Sequence, residues 1–353
     1  MALEMTCLSF GLALFYVLVG PLLAQDSNPV APAKIPSKVV IVRDPQATEA
    51  FEPRPEIVNT MMDRAVVALL GETNAAAAWA RLVKTQDIVG IKVYSLPGAM
   101  AGTRPAVVAA VVQGLLAAKV PPQHIVIWDR RLADLRNAGF GELAKSFGVR
   151  LAGSLNTGYD EDAFYDSPLL GTLLSGDLEF GKGQDVLARK SHVSKLVSRE
   201  LTRIINVSPV LNSYSAGVVG HLYSLSLGSV DNVRRFEDNP DPDTLARAVP
   251  EIYALSAVGD LGDRVALNIT DALICQFEGG EKVRLHNAVV LNEIRVSRDP
   301  VALDVLSTRD LATARARAGF PVGNTNYFEI YQNAAALDLG GDDPARIQIE
   351  TLP

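Results

Sequence analysis

DIVGIKVY at residues 87–94, PAVVAAVVQGLLAAK at 105–119 and HIVIWD at 124–129 decide the reading of the fold. The first and last are short apolar runs bounded by turn residues, each the length of a strand. The stretch between them reads as a helix, with Thr103 near its start. Strand, helix, strand at this spacing predicts parallel neighbours joined by a crossover. Near-continuous apolar strands predict a sheet covered on both faces.

The same alternation extends outward. KVVIVR at 38–43 predicts a strand and 56–70 a helix, followed by helical 131–138 and strand-like 149–152. Residues 153–183 are rich in Gly, Ser, Asp and Tyr without strong periodicity, and are expected to form a long surface excursion. Beyond it, 194–202 reads as helix, RIINVSPVL at 203–211 as strand and 243–257 as helix. The run 264–277 reads as a long strand entering an acidic, Gly-rich turn at 278–281. Helices at 301–318 and 326–339 and a closing strand at 347–352 complete the pattern. The expected fold class is α/β: a mostly parallel or mixed sheet flanked by helices, with a long irregular excursion in the middle. No repeat or linker divides residues 38–353, so one domain is expected there.

A chain of 353 residues can bury a substantial core. Its net charge of −7 and pI of about 5.2 argue against nucleic acid or an anionic membrane surface as partner. Residues 1–25 hold an apolar run from Leu8 to Leu23, with Pro21 near its end and small or polar residues after it. This reads as a signal peptide cut near Ala24 or Gln25. Glu4 and the lack of a basic residue before the run fit poorly, so an uncleaved membrane anchor is the alternative. Residues 26–37 read as a flexible leader. Cleavage removes Cys7 and leaves Cys275 alone, so no intrachain disulfide and no iron–sulfur cluster are expected. An exported chain without disulfides fits a bacterial envelope, periplasmic or extracellular. The sequons at Asn206 and Asn268 lie in apolar, strand-like runs and are expected to be unglycosylated.

In open α/β sheets, ligands bind beyond the carboxyl ends of the strands. That rule selects Tyr94 and Ser95, Asp129 and Arg130, and Asn212 to Tyr214. Asp129 could bind a metal, accept a proton or hold a hydroxyl, or it could cap the helix after it. Lys92 interrupts an apolar strand, and a buried Lys needs a partner or a ligand anion. Alternation places it on the same face as Tyr94, and Arg104 at the next helix start could supply a second anion contact. A strand polar on one face is the plainer reading. VSPVLNSYSAGVVGHLYSLSLGSVDNVRRF at 207–236 reads like a loop flooring an active site, yet carries one His and no acid before Asp231. His221 there is a ligand, a base or a packed side chain. No nucleophile elbow, phosphate loop or dinucleotide fingerprint appears.

DIVGIKV, Thr103-Arg104-Pro105, IVIWDR, RIINVSPVL, AGVVG, LSLGSVDN, TDAL, SRDPVALDVL and the ending YFEIYQNAAALDLGGDDPARIQIETL follow one another in an order and spacing that resembles the domain of unknown function 362 (DUF362) family. The resemblance runs from about Lys38 to Leu352 and implies an exported bacterial member. Some members of that family carry iron–sulfur segments, which this chain lacks. The family pattern has Ile-Lys-Val-Asn where this chain ends in Tyr94, and Val-Leu-Lys-Asp-His where it has Asn212-Ser213-Tyr214 after Val210-Leu211. A Lys-Asn pair is replaced by Tyr223-Ser224, and a His by Glu237. Lys92, Asp129-Arg130, Asp271 and Asp304 match.

The departures suggest a site that has lost or changed its ligand. The expected activity is binding a small anionic or metal-linked ligand through Lys92, Tyr94, Arg104, Asp129, Arg130, Tyr214, His221, Tyr223 and Asp271. The alternative is a metal-dependent or redox-linked envelope enzyme. Its rebuilt site would use Asp129, Tyr214 and His221 to hold an ion such as iron, because phenolates and carboxylates suit hard cations. A third reading is a non-catalytic envelope interaction protein that uses the excursion at 153–183, with an envelope protein as partner.

Overall fold

The computed structural model describes residues 37–167, 190–238, 241–255, 261–321 and 327–353. The expected signal peptide and leader, and the second half of the 153–183 excursion, lie outside the described residues. From Pro36 to Pro353 the chain packs as one unit.

The main sheet is built from β1 (Lys38–Arg43), β4 (Val89–Lys92), β5 (Ile125–Asp129), β6 (Arg150–Gly153), β9 (Arg203–Ser213), β10 (Gly217–Val218), β11 (Val265–Gln276), β12 (Ala288–Ser297) and β13 (Gln348–Leu352). Two small hairpins stand apart from it: β2 (Thr48–Glu49) with β3 (Glu52–Pro53), and β7 (Tyr159–Asp166) with β8 (Lys190–Ser194). The nine-stranded sheet runs β13-β1-β12-β11-β9-β4-β5-β6, with β10 added to β9. Along that path only β12 runs against its neighbours. The sheet is therefore mixed but mostly parallel, as the alternating pattern of the sequence implies.

The helices are α1 (Pro55–Leu70), α2 (Ala75–Leu82), α3 (Pro105–Ala117), α4 (Leu132–Asn137), α5 (Phe140–Phe147), α6 (Ser154–Thr157), α7 (His221–Ser229), α8 (Arg234–Glu237), α9 (Pro242–Tyr253), α10 (Pro300–Arg317) and α11 (Phe328–Ala336). Proline at the first helical position starts α1, α3, α9 and α10, where its missing N–H costs nothing. Asp299 caps α10, its side chain accepting from Ala302 N–H at 2.9 Å.

Alternate residues of the strands enter two separate cores. Val89, Ile91, Val93, Ile125, Ile127, Ile205 and Val207 pack with α1, α2, α3 and α5 on one face. Tyr94, Val126, Trp128, Ile204 and Val210 pack with α7, α9, α10 and α11 on the other. This period of two explains why the strands read as apolar throughout: both faces are covered.

Three expectations are corrected. The region read as a site-like loop, 207–236, contains the helix α7, and all nine of its residues are buried. A helix surrounded by core has no polar stripe, so its period is invisible in the sequence. The excursion begins with structure rather than loop: α6 is followed by β7, whose partner β8 returns antiparallel. The helix expected at 194–202 is a single π-type turn at Leu196–Glu200. Helices α2 and α5 and strand β12 were not anticipated from the sequence. Among the described residues, no helix is long and apolar enough to cross a membrane.

Candidate functional site

Strands β4, β5 and β6 succeed one another toward one edge, while β9 and β11 lie on the other side of β4. The strand order therefore reverses at the β4–β9 boundary, where a crevice opens beyond the carboxyl ends. Lys92 ends β4, and Asp129 follows its register partner Trp128 at the end of β5.

Lys92 and Asp129 form a buried ion pair, with Nζ 2.8 Å from Oδ1. The ammonium also donates to Val93 O at 2.6 Å and Ser224 Oγ at 3.0 Å. Its three N–H groups are thus all used. The other carboxylate oxygen of Asp129 accepts from Ser95 N–H at 2.8 Å and Ser95 Oγ–H at 2.7 Å. Burial pulls the Lys92 pKa below its ordinary value, and Asp129 opposes that pull. The expected anion contact of Lys92 is therefore replaced by an internal one. Asp129 does not cap α4 either, because Arg131 occupies that position.

Helix α7 covers the pair. Ser224 and Gly228, four residues apart, share the face above Lys92. A Cβ on Gly228 would lie 2.4 Å from Lys92 Cε, so only glycine lets the helix approach this closely. The amino end of α7 is held by Asp304 of α10, which accepts from His221 N–H at 2.7 Å and Leu222 N–H at 3.0 Å. Gly220 is tight for the same reason, with a Cβ there 2.3 Å from the Asp304 carboxyl. Burial raises the Asp304 pKa to about 7; the two N–H bonds lower it and Asp299 adds to the rise.

Above the ion pair lies a cavity of about 70 Å³, lined among others by Tyr94, Asp129, Arg130, Arg131, Asp134, Tyr223, Ser224, Glu237 and Glu281. Two phenol–carboxylate pairs cross it. Tyr94 donates to Glu281, and Tyr223 donates to Glu237 at 2.5 Å. Burial drives both phenol pKa values well above the ordinary one, Tyr94 with help from Tyr223 and Glu281, and Tyr223 with help from Glu237 and Glu281. Both phenols are therefore neutral donors at neutral pH.

The structure brings Tyr94, Asp129, Arg130 and Tyr223 together at this cleft, with Lys92 beneath. The other expected site residues lie elsewhere. Arg104 and Asp271 form their own buried pair: Arg104 N–H and Nη1 reach the two carboxylate oxygens at 2.9 Å each, and Nη2 reaches Met100 O at 3.0 Å. Tyr214 is 68% exposed, bonds to Glu278 and lines a separate cavity. His221 is wholly buried, with Nε2 3.0 Å from Thr270 Oγ1 and Nδ1 without a partner among the described residues. Burial lowers its pKa to about 3. Asp129, Tyr214 and His221, expected as a metal set, are thus held in three different surroundings. Among the described residues, no three His, Cys, Asp or Glu side chains are grouped so as to hold a metal ion.

Ser95 stands at a strand end that the sequence selects, whereas Ser224, Arg131, Asp134 and Glu281 were not anticipated as site residues. The acidic turn after β11 was the one visible signal for Glu281, but nothing local links that turn to Tyr94, 187 positions earlier in the chain.

No family model matches the chain, and no curated protein matches it. Among solved structures, the crystal structure of a structural-genomics target protein from Thermotoga maritima is similar at 12% identity, with a TM-score of 0.39. That match covers 77% of this chain and 61% of the other, so the chain spans less than two thirds of that protein's length.

Proposed function

We propose that the cleft beyond β4 and β5 binds one end of a small, hydroxylated anion. The observation that carries this reading is the cavity at the point where the strand order reverses, lined by two arginines and by two phenol–carboxylate pairs. Arg130 and Arg131 meet the anionic group, and Glu237 and Glu281 accept from its hydroxyls. Lys92 fixes Asp129 and does not contact the ligand. At about 70 Å³ the cavity is smaller than the roughly 150 Å³ space that encloses a benzene ring, so it takes a terminal group and not a whole molecule. The likeness of the segment order to DUF362 proteins and the signal-like residues 1–25 belong to the same proposal: a ligand-binding protein of the bacterial envelope.

Calorimetric titration with glycerate, an acid bearing two hydroxyls, tests it. Saturable binding is expected, weakened about tenfold or more by Arg131→Gln, because a charge-assisted hydrogen bond is worth about 1.5–3 kcal/mol. No heat with glycerate, or binding indifferent to both Arg131→Gln and Glu281→Gln, overturns the reading.

A further inference from the structure

A second cavity, of about 170 Å³, lies at the carboxyl end of β9. Its composition differs from the cleft. Leu311, Ala312 and Ala316 of α10 form one wall, and Tyr214, Phe320 and Tyr327 supply aromatic ones. Gly217, at φ 76°, lets the Tyr327 ring lie against the backbone; a Cβ there would fall 2.5 Å from the ring. Charge is cancelled at one end, where Glu278 bonds both Tyr214 and Arg315. A neutral ligand suits such a wall better than an ion, which would have to compete with that pair.

One polar group stands out. Asn212 is 7% exposed and lines the cavity. Its side-chain oxygen accepts from Gly280 N–H at 3.1 Å, while its N–H₂ group has no acceptor among the described residues. A donor on the cavity wall with no protein acceptor among the described residues is open to a bound acceptor in place of water. The cavity also exceeds the roughly 150 Å³ that accommodates one benzene ring.

We infer that this cavity is a ligand site, distinct from the cleft, for a single neutral aromatic ring bearing a carbonyl acceptor: the ring lies among Tyr214, Phe320 and Tyr327, and the carbonyl accepts from Asn212.

The test uses the full chain, with acetophenone as the ring-plus-carbonyl probe and toluene as the ring alone, followed by saturation-transfer NMR titration. Acetophenone is expected to bind saturably and more tightly than toluene. Ala312 is exposed on its helix, so Ala312→Leu fills the space without a folding cost and should abolish both signals. Asn212→Asp keeps the acceptor for Gly280 and removes the donor. It should weaken acetophenone about tenfold and leave toluene unchanged, the loss of one hydrogen bond. Arg131→Gln in the cleft should alter neither. The inference is overturned if neither probe saturates, if Ala312→Leu leaves binding intact, or if Asn212→Asp affects the two probes equally.

Discussion

Lys92 and Asp304 are both ionisable side chains with almost no solvent contact, 0% and 2% exposed, and both help to seat α7. Their surroundings treat charge in opposite ways. Lys92 has a carboxylate, a carbonyl and a hydroxyl within hydrogen-bond range, so its charge is matched. Asp304 has two backbone N–H groups and no cation among its bonded partners, so burial raises its pKa to about 7. A matched pair resists pH and fails badly when one member is removed. An unmatched acid tolerates loss of charge and makes the helix end sensitive to pH.

The largest effect should come from breaking the matched pair. Lys92→Met leaves the Asp129 charge buried without its cation and should cost about 3–5 kcal/mol in urea unfolding. Lys92→Met with Asp129→Asn should recover much of that loss. A single mutant as stable as wild type would show that the pair does not hold the fold. Next, Gly228→Ala places a methyl group against the Lys92 stem and should cost about 1–3 kcal/mol by overpacking, read by the same denaturation. A melting point equal to wild type would mean that α7 can shift freely over the pair.

The unmatched acid is tested through pH. Asp304 has its folded pKa raised, so its contribution is fully present below the unfolded value near 3.8 and is lost as pH rises through about 7. His221 has its folded pKa lowered from 6.5 to about 3, so its contribution is fully present above 6.5 and is lost as pH falls toward 3. Between about pH 4 and pH 6.5 the two slopes oppose each other. Asp304→Asn removes one slope and exposes the other. Its stability relative to wild type should fall on acidification across that window, by at most about 1.4 kcal/mol per pH step. Parallel pH profiles for mutant and wild type would contradict this. The smallest effect concerns the cleft. Tyr223→Phe removes one hydrogen bond to Glu237 and should lower stability by about 1 kcal/mol in thermal unfolding. A loss as large as that of Lys92→Met would place the phenol in the structural core of the pair.

Much of the fold is legible because strands covered on both faces must be apolar throughout. KVVIVR is a strand over the same Lys38–Arg43 bounds that the sequence suggests. Pro105 and Pro300 mark helix starts that follow from proline chemistry. The helix α7 reads as a loop because complete burial erases the periodic signal, and Gly228 within it and Gly220 before it serve close approach and not a turn. Arg104 looked like a ligand contact because it stands at the helix start after Lys92, and Asp271 because it matches the DUF362 pattern; 167 residues separate them, and only folding pairs them.

The sequence by itself determined most of the buried strands and several of the helices, and that Lys92 interrupts an apolar strand while Asp129 stands at a strand end, where a charge has consequences. Those properties depend on local pattern and on the transfer of side chains out of water. The tertiary structure alone decided which charges satisfy one another. Lys92 reaches Ser224 across 132 positions and Tyr94 reaches Glu281 across 187. A buried donor is occupied or free according to whatever the fold brings within about 3 Å of it, and that distance is absent from the order of residues along the chain.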